Sequence, residues 1–145
     1  MIEYEKLYVE VKDALSDKRF KHTEGVIKRA IEYAEVYGTN IEDTKYAALA
    51  HDIAKEISNK ECYEILNKYN IELDAVEKNN SNLLHSKVGA VIAKEKYGLS
   101  DEIASAIEYH TTGKENMTIL EKIIYLADAT EEGRPFKRYG NEMEL

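Results

Sequence analysis

The chain has no tryptophan, one proline, one cysteine and seven glycines in 145 residues. So few prolines and glycines leave little of the punctuation that strands and hairpins require. A lone Cys62 excludes an internal disulfide and fits a reducing cytoplasm, which is the expected location. No apolar run approaches the roughly 20 residues of a membrane-spanning helix. The acidic start, Met1-Ile2-Glu3-Tyr4-Glu5, resembles neither a secretory signal nor a transit peptide. Basic residues are the minority, 20 against 28 acidic, giving a net charge of −8. That argues against non-specific binding to a nucleic acid polymer, where a basic face dominates affinity. A phosphorylated small molecule stays open, because a bound cation can reverse the charge locally.

What is present is helical periodicity. Tyr4, Leu7, Tyr8, Val11 and Leu15 recur at steps of three and four, predicting a first amphipathic helix. A second is predicted over residues 19–37, with Val26, Ile27, Ala30, Ile31 and Ala34 inward and Gly38 at its C-terminal cap. Asn40 suits the cap of a third, which contains Tyr46-Ala47-Ala48-Leu49-Ala50-His51-Asp52-Ile53-Ala54. Ser58 with Glu61 has capping-box spacing for a fourth, and residues 82–97 make a fifth that stops at Gly98. Ser100 caps a sixth reaching His110, and Thr118 with Glu121 opens a seventh. Residues 74–82 are polar and read as a loop or short helical turn, and a charged tail follows Gly133. With no two-residue alternation, the expectation is one all-α domain over 1–145, a bundle of six to seven helices.

Six polar residues fall on the inward side of these helices. His22 lies one turn before Val26, and His51 and Asp52 are the only polar residues in a nine-residue stretch. His85 shares a face with Val88 and Ile92, and His110 extends the stripe of Ile103, Ala106 and Ile107. Asp128 interrupts the apolar run that begins at Ile123. A single histidine on such a stripe is more often a hydrogen-bonded core residue than a ligand. The joint occurrence decides otherwise. A buried carboxylate must be paired, protonated or metal-bound, and Asp128 has no basic residue one turn away on either side. Shared coordination of a divalent cation neutralises both acids and uses the imidazoles at the same time. Cys62, among Tyr63, Ile65 and Leu66, reads as packing.

Histidine, then His-Asp, then a later Asp in a helical chain resembles the HD-domain metal-dependent phosphohydrolases. Longer strings sharpen the likeness to their YqeK-type branch. These are Arg19-Phe20-Lys21-His22, His51-Asp52-Ile53-Ala54-Lys55, Leu84-His85-Ser86 and His110-Thr111-Thr112-Gly113. The last signature is Leu120-Glu121-Lys122-Ile123-Ile124-Tyr125-Leu126-Ala127-Asp128 with Glu132-Gly133-Arg134. Together they cover about residues 19–136. The resemblance implies symmetrical cleavage of diadenosine tetraphosphate into two ADP molecules. It implies His22, His51, Asp52 and Asp128 as ligands of one or two divalent ions, iron first, with manganese or zinc as alternatives. His85 and His110 would face the substrate phosphates or hold a second ion. Arg19, Thr111 and Arg134 would contact the nucleotide, and Lys55 would anchor Asp52 or touch a phosphate.

The mechanism so implied is metal-assisted hydrolysis of a phosphoanhydride. Asp52 would hold the ion and orient water, while His85, His110 and the arginines neutralise or protonate the phosphates. Family members usually continue for several tens of residues past the Gly-Arg signature, whereas this sequence stops at Leu145. The metal and phosphate residues do not depend on that stretch. Two other readings stay open: a different HD-type nucleotidase or phosphodiesterase, and an inert nucleotide-binding regulatory module. The sequence also leaves open whether the protein is a monomer or a homodimer.

Overall fold

The structure is a computed structural model, and it describes residues 1–131. Among these residues there is no strand and there are eight α-helices: α1 (Tyr4–Ala14), α2 (Asp17–Tyr37), α3 (Ile41–Ala50), α4 (Asn59–Lys68), α5 (Ala75–Lys78), α6 (Ser81–Val91), α7 (Asp101–Glu108) and α8 (Ile119–Thr130). The all-α expectation holds. The additional helix, α5, is a single turn in the polar stretch after Leu73. Asp74 and Glu77 close a reciprocal capping box around it.

Most boundaries follow their predicted chemistry. Asn40, Ser58 and Ser100 each accept a hydrogen bond from the backbone N–H three residues on, and so does Ser16, which the sequence did not single out and which starts α2 two residues earlier than expected. Thr118 and Glu121 form the full reciprocal box at the start of α8. Gly38 ends α2 in the left-handed region, φ 75°, with its N–H 2.9 Å from the Ala34 carbonyl oxygen. Past Val91, α6 widens into a π-helical turn, Ile92–Lys96, before Gly98 turns the chain.

One boundary departs from the sequence reading and matters for function. The third helix was expected to run on through Ala54, yet α3 stops at Ala50. Residues 51–57 instead fold as tight turns, with N–H groups of Ile53, Lys55 and Ile57 bonded to carbonyls three residues earlier. No glycine or proline marks this stop. The competing interaction is a side chain: His51 Nδ1 donates to the Ala48 carbonyl oxygen at 2.7 Å and satisfies a helix-end acceptor. From Tyr46 to Ala50 α3 is buried throughout, while Glu42 in its first turn is exposed. Ala47, Ala48, Leu49 and Ala50 are fully buried against α2, α7 and α8. Leu7, Val11 and Leu15 from the first segment join the same core. Each fully buried leucine or isoleucine contributes on the order of 1.5–3 kcal/mol. No helix of the described residues is long and apolar enough to cross a membrane.

Candidate metal centre

Four elements deliver the polar residues to one place. His22 comes from the second turn of α2, and His51 and Asp52 from the end of α3. Asp128 comes from the last turn of α8, and His110 from just beyond α7. His22 Nε2 lies 2.8 Å from Asp128 Oδ1, and His51 Nε2 lies 3.4 Å from both Asp52 Oδ2 and Asp128 Oδ1. One donor atom from each of His22, His51, Asp52 and Asp128 falls within 4.8 Å of all the others. Donors held ~2.1 Å from one ion sit about 3–4 Å from one another, so this spacing suits a single divalent cation.

The histidine tautomers support the same reading. Carbonyl oxygens only accept, so the bond from His51 Nδ1 to Ala48 fixes a hydrogen there and leaves Nε2 as the nitrogen that faces the carboxylates. That Nε2 atom is buried and makes no hydrogen bond. A buried ring nitrogen without a hydrogen bond is uncommon and costs about 1–3 kcal/mol, and this one is placed to take up either a proton or a metal ion. His110 repeats the device at the end of α7. Its Nδ1 donates to the Ile107 carbonyl oxygen at 2.6 Å, and its Nε2 stands 3.5 Å from Asp52 Oδ1.

The electrostatics favour a cation. Burial alone would raise the Asp52 and Asp128 carboxyls, but adjacent imidazoles outweigh it and hold both well below the usual carboxylate range. Burial alone would lower His51, and the Asp52 and Asp128 charges instead raise it to about 10. The carboxylates are therefore anionic at neutral pH, and an incoming ion competes with a proton on His51.

The remaining predicted residues divide. Arg19 forms a close ion pair with Asp52, so it is the cation that anchors this acid. Lys55 does not fill that role; its Nζ reaches Asn82 Oδ1 at 3.4 Å. His85 stands outside the four-residue cluster. Its Nε2 lies 2.7 Å from the Ile57 carbonyl oxygen and its Nδ1 2.7 Å from that of Ser81. It nevertheless lines the cleft beside the cluster, together with Lys55, Ser86, His110 and Thr111. Thr111 Oγ1 lies 2.9 Å from Ser86 Oγ and 3.4 Å from His110 Nε2, a chain of hydroxyls ending at the imidazole. Arg134 lies outside the described residues.

Two contributors were missed in the sequence. Ser86 was part of a quoted motif but given no role, although it is buried and bonded to Thr111. Glu131, just before the charged tail that follows Gly133, was given no role. It is in fact buried, with Oε1 2.9 Å from His22 Nδ1. A glycine at position 25, in the middle of a 21-residue helix, was the available signal.

Comparison with known proteins gives a consistent picture. Residues 19–133 match the family described as HD domain. The chain is 39% identical over 127 residues to "Bis(5'-nucleosyl)-tetraphosphatase, symmetrical" of Bacillus subtilis, covering 87% of this chain and 68% of that protein. The protein of that name from Halalkalibacterium halodurans is also 39% identical, over 87% of this chain and 67% of its own length. Among solved structures, a predicted HD superfamily hydrolase involved in NAD metabolism from Clostridium acetobutylicum superposes with a TM-score of 0.89. It is 40% identical, over 95% of this chain and 74% of that one.

Proposed function

This chain belongs to the HD-domain family, and from that premise we propose that it hydrolyses a phosphoanhydride of diadenosine tetraphosphate symmetrically, giving two ADP. The observation that carries the proposal is the orphaned His51 Nε2, buried between two carboxylates that share its site with His22. The names of the two tetraphosphatase relatives supply the substrate.

His22, His51, Asp52 and Asp128 would hold a divalent ion, and we favour iron, with manganese or zinc serving the same donor set. Such an ion, when bound, activates water and withdraws charge from a phosphoryl oxygen. The chain's own groups do the rest. Asp52 keeps one oxygen toward Arg19 and the other toward His110, so it can orient a water by accepting its hydrogen bond. His110, with its proton fixed on Nδ1, presents Nε2 to the cleft as a base. It delivers a proton to the leaving phosphate once it has gained one, with Thr111 and Ser86 as its hydroxyl partners. Lys55 lines the cleft and Arg19 pairs with Asp52, and with Arg134 they would neutralise phosphate charge. His85 supports this cleft by tying α6 to the Ile57 carbonyl, and it reaches a phosphate only by giving up one of its two backbone contacts. One domain spanning the chain and working in the cytoplasm, on a small nucleotide, completes the reading.

The test is a product assay on metal-loaded protein with diadenosine tetraphosphate, metal content being measured on the same sample. ADP as the sole product is the expected result. AMP with ATP, activity on other nucleotides alone, or tight binding without turnover would overturn it.

A further inference from the structure

His22 differs from the other two histidines of the centre. His51 and His110 are fixed by carbonyls of their own helices, three residues back. His22 sits in the second turn of α2, where the carbonyls before it are taken by the helix ladder. Its orienting contact comes from 109 residues away, where Glu131 Oε1 lies 2.9 Å from His22 Nδ1. Glu131 is the first residue after α8, in extended conformation, and only 4% of it is exposed. A carboxylate in this position accepts the Nδ1 hydrogen, which turns Nε2 toward Asp128 at 2.8 Å.

Gly25 makes this approach sterically allowed. It lies three residues beyond His22, on the same face of α2. A Cβ at that position would stand 2.6 Å from Glu131 Oε2. Glycine is disfavoured against alanine inside a helix, so a glycine here needs a packing reason, and Glu131 supplies one. The obstructed atom is the far end of a flexible side chain, not backbone. A methyl group at position 25 would therefore displace the carboxylate and leave the helix intact.

We propose that Glu131 is a positioning residue that fixes the His22 imidazole for metal binding, and that the missing side chain at Gly25 is what admits it. This rests on the metal reading above, so the test uses cobalt binding and metal-free thermal unfolding together. The visible absorption of Co2+ is titrated into the wild type and into Glu131→Gln, Glu131→Ala, Gly25→Ala, the Gly25→Ala/Glu131→Ala double variant and Asp128→Ala.

Glu131→Ala should weaken cobalt binding about 10–100-fold, the range for lost orienting partners of metal-bound histidines. Glu131→Gln, whose amide oxygen still accepts, should lose less. Gly25→Ala should fall in the same range as Glu131→Ala while its metal-free Tm is unchanged or higher, a signature that a merely structural role would not produce. The double variant should bind cobalt no worse than either single one, because both remove the same contact. Wild-type affinity in Glu131→Ala or Gly25→Ala, with cobalt lost in Asp128→Ala, overturns the proposal and spares the metal reading. Wild-type affinity in Asp128→Ala overturns both.

Discussion

Two sets of buried carboxylates in this small bundle are handled in opposite ways. Glu121, 1% exposed, accepts a short hydrogen bond from the Ser105 hydroxyl and one of 2.7 Å from the Thr118 N–H, and Lys114 Nζ stands 3.1 Å away. Burial pushes its carboxyl up, but these three partners outweigh that and hold it below the usual range. Both oxygens are engaged, the charge is matched, and α7 is tied to the first turn of α8. Asp52 and Asp128 face three imidazoles and one arginine, and the innermost nitrogen, His51 Nε2, makes no hydrogen bond. The first network is complete with the chain's own atoms. The second has the donor set to take up a cation. Burial alone therefore does not identify a functional acid; the unmet bonding capacity around it does.

The sharpest way to break this contrast is substitution on each side of it. Asp52→Ala should lower turnover on the order of a thousandfold or more and abolish metal uptake, with helical circular dichroism retained. A metal-free Asp52→Ala protein with full turnover would remove the site from the mechanism. Next in size is ligand-linked stability. An ion present at a hundred times its dissociation constant adds about 2.7 kcal/mol. Chelation should therefore lower the Tm of the wild type and of Glu121→Ala alike, and leave that of Asp128→Ala unmoved.

Glu121→Ala should cost about 1–3 kcal/mol, measured by urea unfolding, through the lost cap and the unpaired Ser105 and Lys114. Its cobalt affinity should match the wild type; a loss there would show that the two networks are one. The smallest effect is in pH. A carboxyl lowered by folding contributes stability above its unfolded pKa, and that contribution disappears as the pH falls through the folded value. The stability gap between wild type and Glu121→Gln should therefore narrow as pH drops from about 5 through the ordinary glutamate pKa of about 4.3 and below. A gap that widened toward acid would contradict the assignment.

Much of this was legible in the sequence because it is local. Caps at Asn40, Ser100 and Thr118, the stripe of α1 and the Gly38 stop are each set by residues within a turn of one another. The inward placement of His22, His51, Asp52, His110 and Asp128 followed from the same periodicity. What escaped were relations across the fold. Arg19 displaced Lys55 as the partner of Asp52 although 33 residues separate the two, and Glu131 reaches His22 across 109. The early end of α3 escaped for a related reason. A histidine side chain replaced the backbone bond, and no turn residue announces that.

That early end has an electrostatic consequence. Helices α3, α7 and α8 all finish beside the candidate centre, at Ala50, Glu108 and Thr130. The C-terminal end of a helix carries about half a negative charge from its aligned peptide dipoles, worth roughly 0.3–1 kcal/mol to a nearby cation and up to about 2 where partly buried. Had α3 continued through Ala54, its negative pole would have moved on past His51. Stopping where it does, the backbone adds three fixed partial charges of one sign to the Asp52–Asp128 pair, and these do not titrate. The preference for a positive ion is therefore written partly in the chain's path, beneath any choice of side chain.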